Sequence, residues 1–113
     1  MQNREKIVRE IAQILEDKKA YDIEIFNLSG TDYFVDFVII ATALIDRHAL
    51  ALLDDLKKAL KEKGEKFYQI EDENPDWIVA DLGDIVVHLF TKNQREKFNL
   101  EEFLQKMQEG KNV

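Results

Sequence analysis

Two histidines, one serine and no cysteine narrow the chemistry open to this chain of 113 residues. A nucleophile needs a base beside it, and Ser29 has neither His48 nor His88 near it in sequence. His48 and His88 have no further His or Cys at ligand spacing, so neither a zinc site nor any other metal site is expected. Metal-dependent nucleotidyl transfer is the alternative activity. It requires two carboxylates on one strand face, two residues apart, and a glycine-rich phosphate cradle. Asp81 and Asp84 stand three apart across a turn, Glu71 and Glu73 lie in a loop beside Pro75, and neither GxxxxGK[ST] nor GxGxxG occurs. No nucleophile–base pair emerges, and no catalytic residue or cofactor is expected.

Carboxylates are nevertheless concentrated in one place. Residues 71–84 (EDENPDWIVADLGD) hold Glu71, Asp72, Glu73, Asp76, Asp81 and Asp84 without one Lys or Arg. Unpaired buried carboxylates cost several kcal/mol each, so this group must be solvated, bind a metal or face something basic. The first four read as a solvated loop. Asp81 and Asp84 flank the Gly83-Asp84 turn of an apolar hairpin and are expected to meet Lys or Arg of a partner. A two-residue turn there pairs Asp81 with Val86, Ala80 with Val87, Val79 with His88, Ile78 with Leu89 and Trp77 with Phe90. Ile78, Ala80, Leu82, Ile85, Val87 and Leu89 then share a purely apolar face, which must be core. The opposite face mixes Trp77, Val79, Asp81, Val86, His88 and Phe90. Such a mixture suits a protein interface, or else lies beneath a terminal helix. Arg47 and His48 open a helix elsewhere, where a histidine is more often structural than functional.

The elements that must position these residues follow from periodicity. Asn3 is placed to cap a helix whose Ile7, Val8, Ile11, Ile14 and Leu15 fall on one face. Asp22 to Leu28 reads as a strand, Ser29-Gly30 as a turn, and Tyr33 to Thr42 as a central strand covered on both sides. Asp46 stands at an N-cap position before the stripe Ala49, Leu52, Leu53, Leu56, Ala59 and Leu60, and Gly64 supplies the left-handed residue that ends this helix. Phe67 to Ile70 is a short strand before the hairpin. Thr91 with Gln94, and Asn99 with Glu102, have capping-box spacing for two closing helices. The order α-β-β-α-β-β-β-α-α predicts a single α/β (α+β) domain, a mixed sheet of about five strands flanked by helices.

Composition bounds the partners. Lys and Arg number 16 against 23 Asp and Glu, a net charge of −7. Phosphate binding needs clustered cations, whereas Lys57, Lys58, Lys61 and Lys63 are scattered along a solvated helix face, so no dominant nucleic-acid contact is expected. A basic protein is the better electrostatic match. No apolar run approaches the roughly 18 residues that a membrane span needs. The opening residues resemble neither a signal nor a transit peptide, and a cytoplasmic protein is expected.

Three segments, DFVIIATALIDRHALALLDDL (36–56), DWIVADLGDIVVHLF (76–90) and REKFNLEEFL (95–104), together resemble the RsfS/Iojap family of ribosomal silencing factors. Ala43, Leu44 and Ile45 depart from the family pattern, which has Gly and small hydroxylated residues there. The resemblance implies a small mixed α/β domain, distantly like nucleotidyltransferases but without their catalytic carboxylates. It also implies a translational repressor that binds the intersubunit face of the large ribosomal subunit through its fourteenth protein. By sitting there it hinders joining of the small subunit, without catalysis, and homodimers belong to the same implication. The residues expected to carry the contact are Trp77, Val79, Asp81, Asp84 and His88, with Arg47 and His48 at the helix start.

Overall fold

The computed structural model describes residues 2–110, with side chains from Arg4 onward. Its elements run α1 (Gln2–Asp17), β1 (Tyr21–Asn27), β2 (Phe37–Ala43), α2 (Asp46–Glu62), β3 (Gln69–Glu71), β4 (Trp77–Asp81), β5 (Ile85–Thr91), α3 (Lys92–Phe98) and α4 (Leu100–Gly110). The expected order is therefore observed. The five strands form one sheet in the order β1-β2-β5-β4-β3. β2 and β5 run parallel at its centre, while the other pairs are antiparallel.

Both faces of the sheet are covered, which is why β2 and β5 read as nearly continuous apolar runs. Beneath α1 and α2, the inward residues Ile11, Leu15, Leu52, Leu56 and Leu60 meet Ile39, Ala41, Ile78, Ala80, Val87 and Leu89. On the other side Phe26, Val38, Ile40, Val86 and Phe90 form a smaller core closed by Leu104 of α4. The hairpin pairs Trp77 with Phe90, Ile78 with Leu89, Val79 with His88, Ala80 with Val87 and Asp81 with Val86, the register expected from the Gly83-Asp84 turn.

The local signals depart from the expected positions in several places. Tyr33–Asp36 are not part of β2. Thr31 donates its hydroxyl to the Leu28 carbonyl and accepts the Tyr33 N–H, which folds the segment into bends before the strand begins. β3 lies slightly later than the expected 67–70. Ile45 occupies the N-cap of α2 without a side-chain bond, and Asp46 instead accepts the Arg47 N–H from the first turn. Thr91 caps α3 by backbone geometry only, its hydroxyl turning to Asp76. Asn99 takes a left-handed conformation (φ 49°), and its amide donates to Glu102. α1 already includes Gln2; the cap assigned to Asn3 lies outside the described side chains. Gly64, at φ 80°, does end α2 as expected. Its N–H reaches Lys61 O while that of Glu65 reaches Leu60 O, the two bonds of a Schellman motif.

Candidate functional site

The mixed face of the hairpin resolves into two halves. Val86, His88 and Phe90 on β5 are buried, with α4 closing the core that Val86 and Phe90 share. Trp77, Val79 and Asp81 on β4 remain half-exposed, because β4 lies one strand further from that core. The expected cover by a terminal helix therefore holds for the β5 side only, and the β4 side faces outward. A cleft of about 510 Å³ opens beside Trp77 and Val79, with Glu71, Asp72 and Glu73 along its wall.

Trp77 is held from three directions. Its ring stacks on Phe90 at 5.3 Å and meets Phe98 of α3 at 4.4 Å between centroids. Its indole N–H donates to His88 Nδ1 at 3.0 Å. Indole N–H can only donate, so His88 is fixed with its own proton on Nε2. Burial disfavours the imidazolium and lowers the His88 pKa from 6.5 to about 4. At neutral pH His88 is an uncharged acceptor that sets the Trp77 rotamer.

Asp81 and Asp84 are occupied within the chain. Asp81 Oδ1 accepts the Gly83 N–H at 2.7 Å, a local turn bond. Asp84 accepts Nε and Nη2 of Arg4 at 2.7 and 2.9 Å, while Glu65 accepts Nη1 of the same guanidinium at 2.9 and 3.0 Å. Donating to both carboxylates raises the Arg4 pKa further. The counter-charge of Asp84 thus comes from α1, 80 residues away in sequence. Asp84 also uses its carbonyl to accept the N–H groups of Asp36 and Phe37, anchoring the start of β2. Four strand steps, about 13 Å, separate Trp77 from Asp81, so the hairpin places its tryptophan and its turn carboxylates at opposite ends.

Arg47 and His48 come to the Trp77 end of the sheet, since Ala43 lies beside Thr91 and Trp77 opposite Phe90. They belong, however, to the α2 layer on the opposite face. His48 Nδ1 accepts the Leu44 N–H at 2.9 Å, which leaves Nε2–H to donate to Lys18 O at 2.7 Å. The imidazole is a latch between the end of α1 and the loop before α2. Arg47 is exposed beside it.

Arg95 is the residue that a reading by composition passes over as one more solvated cation. It is 7% exposed. Its guanidinium donates to Thr42 Oγ1 at 2.7 Å, to Glu101 at 2.8 Å, to Glu24 at 3.1 Å and to the carbonyl of Asp22. Glu101, six residues on, was the available local signal, but β1 supplies two of the other acceptors and could not be paired from sequence. Arg4 had no local signal at all. Among the described residues, no three His, Asp or Glu side chains gather as a metal would require, and no helix is long and apolar enough to cross a membrane.

The family model for "Ribosomal silencing factor during starvation" matches residues 1–112. The chain belongs to this family of ribosomal silencing factors. It is 31% identical over 100 residues to the ribosomal silencing factor of Bacillus subtilis, covering 88% of this chain and 85% of that one. The Haemophilus influenzae factor is 33% identical, covering 84% of this chain and 94% of its own. The chloroplastic Iojap protein of Arabidopsis thaliana is 33% identical over 83% of this chain but only 40% of its own length. A crystal structure of a Chromobacterium violaceum protein superimposes with a TM-score of 0.84 at 28% identity, covering 89% of this chain and 85% of that one. The family match and the superposition each extend over most of the chain.

Proposed function

We propose that the protein binds the large ribosomal subunit through the β4 side of its hairpin, Trp77 and Val79 foremost, and blocks joining of the small subunit by occupying the intersubunit face. The fourteenth large-subunit protein is the proposed contact, the cytoplasm the proposed compartment, and a homodimer the proposed state of the free protein. The observation that carries this reading is Trp77 itself. It is a large aromatic residue, half-exposed and already fixed by Phe90, Phe98 and His88, as interface anchors tend to be. The carboxylates of Glu71, Asp72 and Glu73 along the adjoining cleft, on a chain of net charge −7, favour a basic partner. Repression here works by obstruction and requires no bond to be made or broken. For nucleotide processing, the alternative, the hairpin offers Asp81 and Asp84, and these are committed to Gly83 and Arg4.

Co-sedimentation with isolated large subunits tests the proposal. Trp77→Ala should weaken binding by at least about 2 kcal/mol and lower the recovery of protein with the subunit. The same variant should no longer shift assembled ribosomes toward free subunits in a gradient. Unchanged binding by folded Trp77→Ala protein would remove this face from the interaction.

A further inference from the structure

The segment REKFNLEEFL contributes no residue to the surface described so far, yet it supplies one of the three groups that hold Trp77. α3 spans only seven residues, too few to persist on helix propensity alone. Arg95 roots it: one buried guanidinium ties the helix to β1, β2 and α4 through Asp22, Glu24, Thr42 and Glu101. Three residues later Phe98 ends the helix, and Asn99 turns the chain away in a left-handed conformation. Phe98 is left 51% exposed while its ring lies against Trp77.

We propose that Phe98 is a second aromatic anchor of the ribosome-binding surface, and that Arg95 is the positioning residue that holds it beside Trp77. This rests on the reading that the Trp77 face binds the ribosome. A phenylalanine that contributed only to the fold would gain by sinking fully into the core, as Phe90, opposite Trp77 on β5, does at 0% exposure. Phe98 is instead presented at the surface and fixed in place. Ordering such a ring before binding removes much of the entropy cost that docking otherwise carries. Trp77 and Phe98 together form an aromatic ridge flanked, beyond Trp77, by the acidic wall of the cleft. The partner that fits is a protein surface with an apolar patch to receive the ridge and basic residues to one side of it.

The test measures co-sedimentation with large subunits, melting temperature and Trp77 emission for Phe98→Ala, Phe98→Tyr, Arg95→Lys and Trp77→Ala. Phe98→Ala should weaken binding on the order of tenfold with little loss of melting temperature, and Phe98→Tyr should keep most of the affinity. Arg95→Lys places one ammonium where four acceptors were served, so binding should fall and Trp77 emission should shift. The double variant Arg95→Lys/Phe98→Ala should bind no more weakly than Phe98→Ala alone, because Arg95 acts through the ring. Glu101→Gln removes a single ion pair and carries the same expectation if lysine at position 95 prevents folding. Should Phe98→Ala bind like the parent while Trp77→Ala does not, this inference fails and the reading of the face survives. Should both bind like the parent, the reading of the face itself fails. Additive losses in the double variant would make Arg95 structural only.

Discussion

His88 makes a quantitative claim on stability. It is 9% exposed, accepts the Trp77 indole N–H, and has its pKa lowered from 6.5 to about 4 by burial. Between these values the unfolded chain binds a proton that the folded protein refuses. Acidification therefore favours unfolding: the contribution is intact above pH 6.5 and is lost as pH falls toward 4. Linkage gives a loss of about 2 kcal/mol by pH 5 and about 3 kcal/mol by pH 4. The wild-type curve sums the whole chain and does not isolate one histidine. His88→Gln can, since it keeps a side-chain acceptor for the indole and cannot become charged. Urea unfolding at pH 7, 6, 5 and 4, followed by the emission of the sole tryptophan, gives the difference between the two proteins. His88→Gln should be the less stable at pH 7, by about 1 kcal/mol for a poorer hydrogen bond. It should gain about 2 kcal/mol relative to the parent by pH 5. Two curves that fall in parallel from pH 7 to pH 5 would refute the argument, and His88 would then be charged without penalty in the fold.

Two further outcomes are expected. Val87→Asp places a carboxylate among Ile39, Ala80 and Leu89 at a site with 0% exposure, and circular dichroism should show no cooperative transition at neutral pH. Arg4→Met leaves Asp84 and Glu65 without the guanidinium between them. As these side chains are 35% and 17% exposed, the loss by urea unfolding should be only about 1–2 kcal/mol, and added salt should recover part of it.

Which parts of this structure were legible in the sequence depends on the range of the interaction. Periodicity and turn chemistry act over a few residues, so the element order and the whole hairpin register followed from Gly83-Asp84 and the alternation around it. The mixed face was legible as a list of residues but not as a surface, because its two halves differ only in distance from α4, which no local pattern encodes. The cap of α2 falls at Ile45 and not Asp46, and Thr91 caps α3 without its side chain, because a favourable residue type states only that a bond could form; Asn99 does meet Glu102. The charged groups fared worst. Asp84 looks unpaired because Arg4 lies 80 residues away, and of the four acceptors of Arg95 only Glu101 is local, the other three lying more than 50 residues off. The tertiary fold assigns counter-charges, and sequence composition counts them without saying where they meet.

The distribution of these commitments bears on mechanism. A catalytic residue must keep a lone pair or proton free for its substrate. Here His48 uses both ring nitrogens to join two segments, His88 gives Nδ1 to an indole, Asp81 closes a turn, and Asp84 and Glu101 hold arginines. These side chains brace the fold. What that rigidity presents is Trp77, Val79 and Phe98, none of which can transfer a proton but each of which can exclude water from a contact. Trp77 and Phe98 reach the surface through β4 and through α3, and Arg95 ties the latter to the sheet beneath both. Obstruction, as proposed, needs contact residues fixed before the partner arrives, and His88 holds Trp77 while Arg95 roots the helix that carries Phe98.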